Sequence, residues 1–236
     1  MTRRMNGAAV IAIAVAGAGV CLAACTAPAR EVPLSPEQIP AALVELTQAP
    51  NRTMHMVWSG TYAMGGRKEG TSQFSGSFDF AGDDYAGLMR TRGTDTEIAV
   101  VDGQAYQSSD ARPVWEKVST PTRTLDPLHG LRIGDVEYVG REAVDGADRN
   151  HLRVTDLSNV INLMMESHGG GVPFELVAFD KDHSSLDVYV DDDARPVSAA
   201  LNLSNDANPD DFGTLSLRST YEFSNWGAEI DIVPPP

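Results

Sequence analysis

From Thr53 onward the chain alternates between apolar and polar positions. Met54, Met56 and Trp58 are interleaved with His55, Val57 and Ser59, and Phe74, Phe78 and Phe80 with Ser75, Ser77 and Asp79. A period of two sends successive side chains to opposite faces of a strand, so each run predicts one apolar and one polar face. Gly65-Gly66 and Gly82-Asp83-Asp84 punctuate these runs as turns, and Asp102-Gly103 marks a tight turn between Thr94–Val101 and Gln104-Ala105-Tyr106. Tyr85–Arg92 continues the series, and Pro113-Val114-Trp115 restarts order after a polar loop. Val136–Val144 and His151–Val154 read as a hairpin across Asp145-Gly146. Leu186–Val190 and Val197–Leu203 are joined by an acidic turn, and Leu215–Phe223 and Ile230–Val233 close the chain around Asn225-Trp226-Gly227.

Two stretches break the alternation with helical spacing. Ser35-Pro36-Glu37-Gln38 carries a start signal, and Ile39, Ala42, Leu43 and Leu46 follow on one stripe until Pro50-Asn51. Leu157–Ser167 is the second, capped by Asp156 or Ser158, with Val160, Leu163 and Met164 on one face. Leu125-Asp126-Pro127-Leu128 opens a shorter helix-like segment. About ten strands follow one another without alternating helices, which argues an α+β fold and not α/β. The expected architecture is a strongly curved antiparallel half-barrel sheet with helices packed on its concave side. A β-sandwich is the competing arrangement, but it leaves the two amphipathic helices without a place.

The first 34 residues follow different rules. Arg3 and Arg4 precede an uncharged run, Ala8 to Val20, which is shorter than the ~20 residues of a spanning helix. Leu22-Ala23-Ala24-Cys25 then reads as a lipoprotein cleavage signal: small residues fit a peptidase cleft, and the Cys25 thiol takes a diacylglycerol. Residues 1–24 are the expected signal peptide, 25–34 a lipidated Pro-containing tether, and 35–236 a single domain. Each buried CH₂ of the anchor contributes ~0.8 kcal/mol, so two or more chains hold the protein to a membrane. The expected location is the extracytoplasmic face of the cell membrane, with the chain monomeric.

Charge narrows the partners. The chain has 18 basic and 33 acidic residues; loss of Arg3 and Arg4 leaves 16 against 33, net −17. That surface argues against nucleic acid and against adsorption to anionic headgroups. Cys21 leaves with the signal and Cys25 is acylated, so the domain has no disulfide.

No catalytic grouping, metal site or cofactor is expected. His55, His129, His151, His168 and His183 fall in no metal-binding spacing. His168-Gly169-Gly170-Gly171 resembles an oxyanion loop of some esterases, yet there is no G-x-S-x-G elbow to go with it. Asp180-Lys181-Asp182-His183-Ser184 starts like a calcium loop but has Ser185 where the turn glycine belongs and Asp191 at the twelfth position.

A run of motifs in order carries a resemblance. Val101-Asp102-Gly103-Gln104-Ala105-Tyr106 precedes Trp115 and then Leu125-Asp126-Pro127; Val139-Gly140-Arg141-Glu142 leads to Leu186-Asp187-Val188-Tyr189-Val190-Asp191; the end is Tyr221-Glu222-Phe223-Ser224-Asn225-Trp226-Gly227. With the cysteine signal, this resembles the LppX/LprG-type lipoproteins (LppX, LprA, LprF, LprG) of the mycobacterial cell envelope. The resemblance implies a LolA-like fold with an apolar cavity for acyl chains of lipids or glycolipids in transit, possession of no catalytic residues, and a membrane transporter as a partner. Adaptable and aromatic side chains suit a loosely filled interior. Met54, Met56, Trp58, Phe74, Phe78, Met89, Ile98, Leu163 and Met164 are the candidate lining. The rival classes are an envelope sensor with a basic protein partner, and a hydrolase using His168.

Overall fold

The computed structural model describes residues 33–49, 52–64, 67–81, 84–118, 127–128, 130–161, 183–205 and 215–235. The signal segment, Cys25, the tether up to residue 32, Leu163, Met164, His168–Gly171, Asp180–Asp182 and the acidic turn 206–211 lie outside these residues. Among the described residues, no helix is long and apolar enough to cross a membrane.

Eleven strands form one sheet: β1 (Thr53–Met64), β2 (Arg67–Asp79), β3 (Asp84–Thr91), β4 (Thr94–Val101), β5 (Gln104–Ser109), β6 (Arg112–Val118), β7 (Val136–Val144), β8 (Ala147–Val154), β9 (Ser185–Val190), β10 (Pro196–Ser204) and β11 (Leu215–Ser224). The order is β6-β5-β4-β3-β2-β1-β11-β10-β9-β8-β7, antiparallel throughout. Two meanders are therefore joined by the pairing of β1 with β11, and the sheet is open and curved, with β6 and β7 as its edges. Left-handed backbone at Arg92-Gly93, Asp102-Gly103 and Asp145-Gly146 makes the tight turns that match strand twist.

Among the described residues, α1 (Ile39–Thr47) is the helix seen over its full length beside the sheet. Its Ile39, Leu43 and Val44 join a single buried cluster that draws on β1 to β5 and on β7 to β11. Eleven strands laid flat would span roughly 48 Å, against about 14 Å for α1; the curl lets one cluster serve both halves. Gln48 Nε2 donates to Leu131 O at 2.7 Å, tying the end of α1 to the buried Leu128–Leu131 turn.

Several expectations need correction. The helix begins at Ile39, not Pro36: residues 36–38 form a turn closed by Gln38 N to Ser35 O, and Ser35 N donates to Gln38 Oε1. Pro40 occupies the first turn, where a missing N–H leaves no bond unmade. The segment after Ser109 is no polar loop but a two-residue turn into β6. Ile230–Val233 is not a strand, because both edges of β11 are already taken by β1 and β10. The Asn225 turn instead docks on the start of β1: Gly227 N donates to Thr53 O at 3.0 Å and Thr53 Oγ1 to Ala228 O at 2.6 Å. Of the second helix, residues 158–161 are described and helical, with Asp156 accepting from Ser158 N.

Candidate functional site

The register of the sheet stacks the inner-face residues into rows across the strands. One row runs Val100, Tyr85, Phe78, Met54. The next runs Ile98, Gly87, Gly76, Met56, and beyond it lies Thr96, Met89, Phe74, Trp58, Tyr221, Ala199, Val188, Leu152. The last complete row is Thr94, Thr91, Ser72, Gly60, Ser219, Leu201, Leu186.

Seven of the nine candidate lining residues are described, and all seven belong to these rows. Met54 and Met56 are fully enclosed, Phe74, Phe78 and Trp58 are buried, and Met89 and Ile98 are partly buried against the same cluster. Phe74 and Phe78 meet with centroids 5.7 Å apart, and Phe78 stacks on Tyr85 at 5.4 Å. Such tilted and offset ring pairs contribute about 0.5–1.5 kcal/mol beyond burial.

The glycines among them do specific work. A Cβ on Gly76 would lie 2.4 Å from Phe74 Cζ and 2.5 Å from Ala86 O; one on Gly87 would lie 2.6 Å from Phe74 Cζ and 2.5 Å from Ser75 O. The Phe74 ring thus lies flat across two adjacent glycines. Trp58 lies likewise over Gly60, and Tyr62 over Gly70. Rings laid along the sheet, instead of standing on it, make a smooth apolar floor. These glycines were missed by the alternation of large residues, though a signal was present: Gly60, Gly76 and Gly87 share the parity of Trp58, Phe74 and Met89.

The floor is graded. Across β1 to β4 the rows change from Phe78, Tyr85 and Val100 at one end to Ser72, Thr91 and Thr94 at the other, where Thr91 and Thr94 are exposed. Across β9 to β11 the lining stays apolar, with Leu201, Leu186, Leu203 and Leu217; Ser219 is the exception. Between Thr96 and Leu152 no charged side chain stands in the row of Trp58; beyond Thr96 the row continues through Ser109 to Arg112 on the edge strand β6. At the level of the transition, Trp58 Nε1 and Ser219 Oγ are both buried with no hydrogen-bond partner.

Two open depressions lie among the described residues. One of about 450 Å³ sits between the turn before α1 (Pro36), its first residues (Pro40, Ala41) and β7 (Val136, Tyr138), with the exposed Ile133 beside it. The other, about 190 Å³, lies at the polar end of β4 to β6 between Thr94, Gln107 and Glu116. Among the described residues, no group of three or more His, Cys, Asp or Glu is placed to hold a metal ion.

No protein-family model and no curated protein sequence matches this chain. Solved structures do. The chain is similar to LprF from Mycobacterium bovis, with a TM-score of 0.49 and 16% identity, covering 86% of this chain and 99% of that one. It is similar to a LolA superfamily protein from Nitrosomonas europaea (TM-score 0.28, 12% identity, 85% and 96% covered). It is also similar to a putative outer membrane lipoprotein-sorting protein domain from Vibrio parahaemolyticus (TM-score 0.29, 12% identity, 80% and 90% covered). LprF is one of the proteins whose motif order the sequence resembles.

Proposed function

We propose that this chain is a lipid-anchored extracytoplasmic carrier that holds the acyl chains of a lipid or glycolipid against the inner face of its sheet. The observation that carries the reading is the graded floor. Hydrocarbon needs an apolar wall to replace water, at roughly 25 cal/mol per Å². A lipid also has a polar end, and an inner face that turns from phenylalanine to serine and threonine along the strands matches that division. In this reading α1 sits on the concave side as part of the cover. Leu163 and Met164, which lie outside the described residues, are assigned to the lining as well.

Residues 1–24 serve as the signal peptide, Cys25 carries the anchor, 25–34 are the tether, and 35–236 are the carrying domain. Changing Cys25 to Ser is expected to move the protein from the membrane fraction to the supernatant; persistence in the membrane fraction would overturn the anchor. Native mass spectrometry of protein purified from an envelope-bearing host is expected to show a population heavier by one lipid mass. Protein that stays lipid-free after incubation with mixed membrane lipids would refute the carrier.

A further inference from the structure

Buried polar atoms in folded proteins are almost always paired, so unpaired ones call for an account. Trp58 and Ser219 are diagonal neighbours across β1 and β11, two residues out of register. Trp58 pairs with Tyr221, and Ser219 with Gly60. A Cβ on Gly60 would lie 3.0 Å from Trp58 Cε2, the carbon bonded to Nε1, and 3.2 Å from Ser219 Oγ. The indole edge and the hydroxyl therefore border the same glycine, which the indole ring covers, with Trp58 Cζ2 2.6 Å from where that Cβ would stand. Both are at least nine-tenths buried, and neither Nε1 nor Oγ has a partner. The contrast with Trp226 is direct: its Nε1 donates to Pro196 O at 2.7 Å.

We propose that Trp58 Nε1–H and the Ser219 hydroxyl form a polar clip that binds the ester carbonyl of a neutral acyl lipid, a deduction that rests on the carrier reading above. Indole only donates, so the group it serves must accept. The clip stands where the floor changes from apolar to polar, which is where a lipid's ester joins its chain to its head. A free carboxylate would be an acceptor too, but burying its charge needs a cation. The neighbours in that row are Phe74, Met89, Tyr221, Ala199 and Val188. An isolated charge is costly there, whereas an ester is not. The clip thus selects esterified chains and sets how deep they sit.

The test is competition between a dipalmitoyl diacylglycerol and its dihexadecyl diether, which keeps the chains and glycerol and lacks only the carbonyls. Loading from neutral detergent micelles is read by native mass spectrometry. The wild-type protein is expected to favour the ester about tenfold, the worth of one hydrogen bond that is otherwise left unmade. Ser219→Ala and Trp58→Phe should each reduce that ester-over-diether preference severalfold, whatever they do to the total amount of lipid loaded. Equal loading of the two lipids by the wild type, or an unchanged preference in the Ser219→Ala protein, would overturn the clip and leave the carrier standing. Failure of the wild type to load either lipid would bring down the carrier and the clip together. Ser219→Ala removes one buried oxygen, so it keeps the test alive if Trp58→Phe fails to fold.

Discussion

Strands β8 and β9 carry both kinds of surface, one on each face. On the inner face, Leu152, Val188 and Val190 are wholly buried among other apolar groups. On the outer face, His151 is as buried as they are, but its ring nitrogens lie against Glu142 Oε1 at 2.8 Å and Asp187 Oδ1 at 2.9 Å. Arg153 pairs with Asp187 at 2.9 Å, and the His151 ring stacks on Tyr189 at 4.8 Å. Burial, aided by Glu142 and Asp187, pushes the Tyr189 hydroxyl above its ordinary pKa, so it stays a donor, and it donates to Glu142 Oε2 at 3.4 Å. The groups named in this outer cluster are all paired, although Arg149 Nε on the same face of β8 is buried without a partner. Trp58 and Ser219 on the inner face are both unpaired. A protein that satisfies His151 with two carboxylates has the means to satisfy a serine, so the open pair on the inner face reads as a site and the closed cluster as structure.

That contrast breaks most readily at the glycines. Gly87→Ala would set a methyl 2.5 Å from the Ser75 carbonyl oxygen and 2.6 Å from Phe74. The backbone contact cannot be relieved by a rotamer change, so about 2–3 kcal/mol of stability should be lost, read from urea unfolding. Lipid loading should fall with it, because a displaced Phe74 ring stands up into the floor. His151→Ala is expected to cost about 2 kcal/mol, since Glu142 and Asp187 lose the group between them. Its loading should match the wild type. A large loss of loading there, with none in Gly87→Ala, would reverse the roles assigned to the two faces.

The parity of large residues made much of this legible. Met54, Met56 and Trp58 lie on one face as their spacing requires, and the Asp-Gly pairs turn where expected. Sequence could not reveal that β1 pairs with β11, some 160 positions away, because pairing partners leave no local mark. That unseen pairing is what spends both edges of β11 and denies Ile230–Val233 a neighbour. It also brings Ser219 to Trp58, so the clip was invisible while Trp58 alone was not. Pro113-Val114-Trp115 marked β6, but the polar end of β5 before it, Gln107-Ser108-Ser109, was read as loop because it carries no apolar residue to alternate.

The smallest expected effect sharpens the comparison from the other half of the sheet. Arg90 and Asp95 face each other across β3 and β4 on the outer face, with a two-pronged contact at 2.5 and 2.6 Å. The hydrogen bond from Arg90 holds the Asp95 carboxyl below the usual aspartate range, chiefly through that bond and less through charge alone. A carboxylate with a lowered folded-state pKa stabilises the fold above its unfolded value and loses that contribution as pH falls through the folded one. The pair is solvent-exposed, so its worth is screened and modest. Asp95→Asn should therefore lower the thermal midpoint slightly at neutral pH and in low salt. The difference from wild type should vanish in acid, once Asp95 is protonated, and should shrink in high salt. Lipid loading should not change at any pH, because the pair touches solvent and not the floor. A pH-dependent change in loading in this variant would mean that the outer face of β3 and β4 communicates with the inner one, and the separate roles assigned to the two faces would no longer hold.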